Sequence, residues 1–357
     1  MSDINPEVVI AINPGSTSTK FALWTRQKCL VEKVVRHDLK DLNPEISKQL
    51  EARQKTIDEE LNLVLGNSVV VAAVGRGGLL KPLPGGTYKV NKLMLEELQS
   101  ENSASHASNL GAVLANYYAD KFKVDAFIVD PVTVDEFPEI ARVSGVPWIK
   151  RKSRVHALNI KAVVRRAAAK LDKAVNDSRF VVAHLGGGTS IAAVLGGKII
   201  DVNDALHGMG PFSPERAGAL PIGPLIERCF IGDISKDDLL LELGRKSGLI
   251  AYCGTNDVQK VLARAEADDS EADLALKAMM YQNAKEIGAM AAILKGKLDA
   301  VVITGGLANS KTLMAMLKEY VAFLAPVVVY PGEGELQALA EGAFRVIDKN
   351  ERARIYE

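Results

Sequence analysis

Two stretches of the chain repeat one pattern: a short apolar run, a turn rich in glycine and hydroxyls, then a second apolar run. Residues 8–12 read Val-Val-Ile-Ala-Ile, 13–19 form the turn Asn-Pro-Gly-Ser-Thr-Ser-Thr, and 21–24 are again mostly apolar. Residues 180–183, 184–190 and 191–195 repeat the sequence of events, and a Gly196-Gly197 turn leads into 198–202. Such runs predict strands joined as hairpins. Further strands rich in β-branched residues are predicted at 69–74, 126–130 and 300–304. Helical periodicity runs through 105–122, 160–172 and 271–298, and through 335–347, where Leu336, Leu339, Ala340, Ala343 and Phe344 share one face. Strands and helices interleave, so each half reads as an α/β domain with helices covering a mixed sheet.

A chain of 357 residues exceeds the size at which one hydrophobic core usually stops growing, which predicts two domains. The charged stretch 150–154 marks the change between halves. The expected division is 1–150 and 151–335, with a C-terminal helix over 336–357 packing back on the first domain. Apolar residues at 48% and charged residues at 25% exclude a disordered or fibrous chain. Forty-four basic side chains balance forty-four acidic ones, so there is no electrostatic footprint for nucleic acid. Cys29, Cys229 and Cys253 lie far apart and fit neither a disulfide framework nor a zinc site. The N-terminus lacks the basic and apolar segments of a signal peptide, and no apolar run approaches the ~20 residues of a membrane span. A cytoplasmic protein with no membrane partner is expected.

The chemistry is carried by turns. Gly197-Lys198 and Gly296-Lys297 are followed by Ile199 and Leu298, so there is no Walker A loop, and a GxGxxG fingerprint is absent. What remains is a set of short turns whose backbone N–H groups and hydroxyls can line an anion. In the first, Asn13 to Lys20, Gly15 permits close approach, Ser16 and Ser18 offer hydroxyls and Lys20 a positive charge. The second, His184-Leu185-Gly186-Gly187-Gly188-Thr189-Ser190, places three glycines where side chains would obstruct a phosphate. The third, Thr304-Gly305-Gly306-Leu307-Ala308-Asn309-Ser310, follows a strand and precedes a helix, and suits a nucleoside laid against flat backbone.

In this order the three turns resemble the phosphate-1, phosphate-2 and adenosine motifs of the superfamily that includes acetate kinase, sugar kinases, Hsp70 and actin. The resemblance implies two RNase H-like domains of the actin-like ATPase fold with ATP in the cleft between them. Phosphoryl transfer spreads negative charge over three oxygens and calls for fixed cationic donors. Arg76 among Gly75, Gly77 and Gly78, Arg154 before His156, and Arg216 between Pro214 and Gly218 are the candidates.

At these residues the likeness narrows. The stretches INPGSTSTK, GRGG, SASHASNLGA, IVDPVTVDEFP, RVHALN, HLGGG and SPERAGALP together resemble butyrate kinases of the acetokinase family over nearly the whole chain. The resemblance implies reversible, ATP-dependent phosphorylation of butyrate or a similar short-chain or branched carboxylate to an acyl phosphate. It carries over Asn13, Ser16, Ser18 and Lys20 as a phosphate and Mg2+ loop, and Arg76 and Arg216 as transition-state arginines. Asp130 becomes the acidic residue near the substrate. His156 and His184 become phosphoryl-contacting histidines, and His106 a substrate-side one. Gly186, Gly187, Gly188, Gly305, Gly306 and Asn309 fall in the nucleotide motifs. The implied ligands are ATP/ADP, Mg2+ and a small carboxylate, in a homodimer or higher homo-oligomer. Two departures stand out. The family's Mg-associated Glu falls on Gly334, leaving Glu333 and Glu335 as metal candidates, directly or through water. The Arg76 turn also lacks the second histidine of acetate kinases, as in the butyrate branch.

Overall fold

The computed structural model of the chain describes residues 5–15, 17–37, 46–100 and 107–357. These form two compact units, Met1–Val134 with Gly334–Glu357, and Asp135–Glu333. The charged stretch 150–154 lies inside the second.

The first unit is built on a six-stranded sheet of β1 (Glu7–Pro14), β2 (Ser18–Trp24), β3 (Cys29–Arg36), β4 (Val69–Arg76), β5 (Thr87–Lys89) and β6 (Asp125–Val129), in the order β3-β2-β1-β4-β6-β5. The first three strands form an antiparallel meander, and β1, β4 and β6 are parallel. Alternation along β1 explains its unbroken apolar run. Val8, Ile10 and Ile12 enter a core with Leu110 and Leu114 of the helix Asn109–Phe122, while Val9 and Ala11 are equally buried on the opposite face. The helix Glu335–Ile347 packs on the same sheet. Its Gly342 lies where a Cβ would be 2.4 Å from Val129 Cγ2, and the Gly342 carbonyl accepts from the Thr87 hydroxyl at 3.1 Å. Beyond it, Arg354 exchanges backbone hydrogen bonds with Thr87 and Lys89, and Tyr356 is buried.

The second unit carries a five-stranded sheet of β7 (Arg179–Leu185), β8 (Thr189–Leu195), β9 (Lys198–Val202), β10 (Ala300–Gly305) and β11 (Val327–Pro331), in the order β11-β10-β7-β8-β9. Again an antiparallel meander joins a parallel set, here β7, β10 and β11. The long helix Ser270–Ile293 buries Leu276, Met279, Met280 and Ile287 in a core shared with Val181, Ala183, Val301 and Ile303. Asp269 caps it, accepting from the backbone N–H groups of Glu271 and Ala272.

The predicted hairpins, strands and long helices coincide with these elements, with ends shifted by a few residues: the periodicity at 160–172 is the helix Ala157–Lys170, and that at 271–298 stops at Ile293. Among the described residues no helix is long and apolar enough to cross a membrane.

Glycine at the end of β4 answers to packing. A Cβ on Gly75 would lie 1.9 Å from the Gly111 carbonyl oxygen, and one on Gly111 would lie 2.2 Å from the Arg76 carbonyl oxygen. Strand and helix thus touch backbone to backbone. Gly75→Ala is expected to destabilise the protein by about 2–3 kcal/mol or more, because neither backbone can yield cheaply. Urea unfolding measures this, and a loss under about 1 kcal/mol would show that strand and helix separate easily.

Candidate active site

Because β1, β4 and β6 run the same way, their C-terminal ends lie on one edge of the first sheet, and the candidate residues of that unit sit there. Asn13 near the end of β1 is buried. Its Nδ2 donates to Glu335 Oε2, and the other carboxylate oxygen of Glu335 forms an ion pair with Arg76 Nη1 at 3.1 Å. Glu335 opens its helix, where the partial positive charge of the N-terminus also favours a carboxylate. Asn13 Oδ1 is buried with no hydrogen-bond partner among the described residues.

The turn after β1 is closed by the Gly15 N–H donating to the Ser18 carbonyl at 2.7 Å. Along β2, Ser18 is half-buried and Lys20 exposed, while the intervening Thr19 is fully buried. The Thr19 hydroxyl meets His37 Nε2 at 2.9 Å and accepts from Arg53 Nη1 at 2.8 Å. The Arg53 side chain is fully buried, and burial pulls its pKa down to about 10. That is still far above neutral, so a guanidinium charge lies beneath the hydroxyl turn.

Asp130 follows β6 in a left-handed conformation, φ 41°, that only a few non-glycine residues adopt. It is held by Gly86: the Asp130 N–H donates to the Gly86 carbonyl at 3.0 Å, and the Gly86 N–H donates to Asp130 Oδ1 at 2.7 Å. The carboxylate is buried.

The second unit repeats the arrangement at the ends of β7, β10 and β11. His184 is buried in β7 and stacks on His156, ring centroids 4.1 Å apart and planes 17° apart. His156 Nδ1 lies 2.8 Å from Ser190 Oγ, and the His156 backbone N–H donates to that oxygen at 3.3 Å. His184 Nδ1 lies 3.0 Å from Asn159 Oδ1, and Asn159 Nδ2 donates to the Glu333 carbonyl. The turn 186–188 follows directly. A Cβ on Gly186 would sit 3.4 Å from His184 Nε2, one on Gly187 would sit 3.1 Å from Glu215 Oε1, and one on Gly188 would sit 2.1 Å from Arg216 Nη1.

Arg216 is poised for an anion. Its Nη1 donates to the Ala205 carbonyl, and its Nε is buried without a partner among the described residues. Burial lowers its pKa, an effect that Glu215 nearby partly offsets. Cation and unmet donor together favour a negatively charged ligand.

The third turn packs on the second. Gly305, at φ 93°, would place a Cβ 2.3 Å from the Leu185 carbonyl oxygen, whereas a Cβ on Gly306 would meet open space. Asn309 Nδ2 donates to the Gly306 carbonyl at 2.9 Å. Gly305 and Gly332 exchange backbone hydrogen bonds, which places 332–333 beside this turn.

Thus the structure joins Asn13, Arg76 and Glu335 in one cluster, and His156, His184, the turn 186–188 and Arg216 in another. Asp130 is anchored separately on Gly86. Glu333 engages Asn159 through its backbone, while its side chain is exposed. Ser16 and His106 lie outside the described residues. Sequence reasoning missed Asn159 and Ser190, whose histidine partners are 25 and 34 residues away. The one available signal was a buried asparagine in the first turn of an otherwise apolar helix face.

The sequence model of the acetokinase family matches residues 146–328, half of the chain. Solved structures share the fold. An acetate kinase from Porphyromonas gingivalis superposes with a TM-score of 0.77 at 17% identity, over 95% of this chain and 99% of that one. A propionate kinase from Francisella tularensis subsp. tularensis gives 0.74 at 21%, over 94% and 98%. An acetate kinase from Entamoeba histolytica gives 0.75 at 16%, over 96% and 100%. The architecture is the actin-like ATPase fold, with mixed α/β units on two sheets.

Glu335 makes the unit-one cluster testable. Glu335→Gln removes the anion from beside the Arg76 guanidinium and should cost about 1–3 kcal/mol, read by urea unfolding. A loss below about 0.5 kcal/mol would mean the pair behaves as a solvent-screened surface contact.

Proposed function

The chain belongs to the acetokinase family, and from that premise we propose that it transfers the γ-phosphoryl group of ATP reversibly to a short-chain carboxylate, giving an acyl phosphate and ADP. The observation that carries this reading is the meeting of His156, His184, the glycine turn 186–188 and the desolvated Arg216 within the matched segment. Those groups supply what a loose phosphoryl transition state needs: donors and cations fixed before charge develops.

In the proposed reaction a carboxylate oxygen attacks the γ-phosphorus as the bond to the β,γ-bridging oxygen breaks and ADP departs. Carboxylates are ionised near neutral pH, so no strong general base is required, and Asp130 is assigned to positioning. Arg76 and Arg216 are assigned to the equatorial oxygens, as donors with His156 and His184. Ser16, Ser18 and Lys20 are assigned to phosphate, and so is the turn Gly186, Gly187 and Gly188, where side chains would obstruct it. Gly305, Gly306 and Asn309 receive the nucleoside.

Magnesium fits the residues present. Asn13 Oδ1 is a buried oxygen without a partner among the described residues, and Glu335 is the carboxylate that accepts from the same amide's Nδ2. Such a pair suits a hard cation that keeps most of its coordination for water and phosphate oxygens. We assign Asn13 and Glu335 to Mg2+, which would neutralise charge on the phosphates. A C4 acid is the proposed substrate, on the match of the Arg76 turn to the butyrate branch, although one methylene is worth only about 1–3 kcal/mol of discrimination.

The test of the reaction is a coupled ADP-release assay across C2 to C6 acids with hydroxylamine trapping of the acyl phosphate. Highest activity on C4 acids is expected. Preference for acetate would overturn the substrate, and absence of hydroxamate with every acid would overturn the reaction.

The arginine roles are tested separately. Arg76→Ala and Arg216→Ala should each lower kcat by about 10² to 10³ while the Kd for ATP changes far less, and Lys should rescue poorly because a point charge lacks the planar fork. Gly188→Ala should leave stability within about 1 kcal/mol, since its methyl displaces only the flexible end of Arg216, yet lower kcat. Normal turnover in any of these variants would remove that group from the chemistry.

A further inference from the structure

We propose that Asn159 is a positioning residue that fixes the ring orientation and tautomer of His184. This rests on the kinase reading for its consequence in turnover, but the lock itself is a property of the resting protein.

An asparagine amide presents a donor on one side and an acceptor on the other. Here the Glu333 carbonyl decides which is which. It accepts only, so Nδ2 must face it, as it does. That leaves Oδ1 toward His184 Nδ1 at 3.0 Å. An amide oxygen cannot donate, so Nδ1 carries the proton. The other ring nitrogen, Nε2, borders the glycine turn, 3.4 Å from where a Gly186 Cβ would stand. Stacking on His156 fixes the ring plane, and the Asn159 hydrogen bond fixes its rotation within that plane.

The carbonyl is itself held in place. Gly332 and Gly334 flank Glu333 with φ 87° and 57°, conformations that favour glycine, and Gly332 is tied to Gly305. Asn159 is 3% exposed and sits in the first turn of the helix Ala157–Lys170, three residues after His156. One amide therefore couples the 332–334 turn to the histidine that lines the phosphate turn. When Nε2 donates to an anion seated there, both ring nitrogens carry protons, and the Asn159 oxygen accepts a charge-assisted hydrogen bond.

The experiment combines 15N NMR of histidine-labelled full-length protein with kinetics. The chain has five histidines, and the His184 signals are those lost in His184→Gln. In the neutral ring we expect protonated Nδ1 in the wild type and protonated Nε2 in Asn159→Leu, a variant of similar size that can neither donate nor accept. Asn159→Leu should lower kcat about 10- to 100-fold, with a smaller change in the KM for ATP and no additional loss in the His184→Gln background. Asn159→Asp keeps the acceptor for Nδ1 and should retain the wild-type tautomer. Protonated Nε2 in the wild type overturns the lock, whether or not the variants fold. Multiplicative losses in the double variant overturn the claim that Asn159 acts through His184. If the wild type forms no acyl phosphate, the kinase reading fails while the NMR result still decides the lock.

Discussion

Parallel pairing is the constraint on which both clusters depend. Strands that run in the same direction end at the same edge of their sheet, so residues distant in sequence become neighbours wherever those strands stop. In the first unit this places Asn13, Arg76 and Asp130 at the ends of β1, β4 and β6. In the second, His184 pairs in register with Thr304, and the turns that follow β7, β10 and β11 share an edge. The antiparallel meanders contribute the hairpin turns. The parallel strands decide where those turns meet.

Glycine serves several purposes at these edges. Gly75 and Gly111 let a strand and a helix touch through their backbones, and Gly305 does the same against Leu185. Gly188 clears space for the Arg216 guanidinium, and Gly187 faces Glu215. Only Gly306 among these faces open space. A glycine-rich turn is therefore as much a record of protein packing as of a ligand's approach, and in the 186–188 turn the neighbour being accommodated is itself a cation suited to an anion.

The sequence made the buried parts of the fold legible because burial on two faces leaves an apolar run with little ambiguity. The strand β3 escaped notice: charged residues interrupt it, and half of its residues are exposed. β5 has three residues. The helix Ile222–Phe230 buries no side chain, so the usual contrast between inner and outer faces has no partner in the fold. At the site, Arg76 and Arg216 were visible through the turn residues around them. Asn159 and Ser190 were not, because what matters is which atom each presents to a histidine far along the chain. Nor could the spacing of Glu333 and Glu335 tell that one engages through its carbonyl and the other through its carboxylate.

The first unit is assembled from both ends of the described chain, and that has a consequence for biosynthesis. Its sheet leaves the ribosome early, but the helix Glu335–Ile347 and the segment that pairs with Thr87 and Lys89 emerge only after the whole second unit, Asp135–Glu333. At about 5–20 residues per second, those roughly two hundred residues take on the order of 10–40 s to translate. Throughout that interval the nascent sheet lacks the helix that packs against Val129, and its parallel strands are the kind that form slowly and aggregate readily. The second unit, continuous in the chain, can close first. The earlier-made half is thus the later to finish.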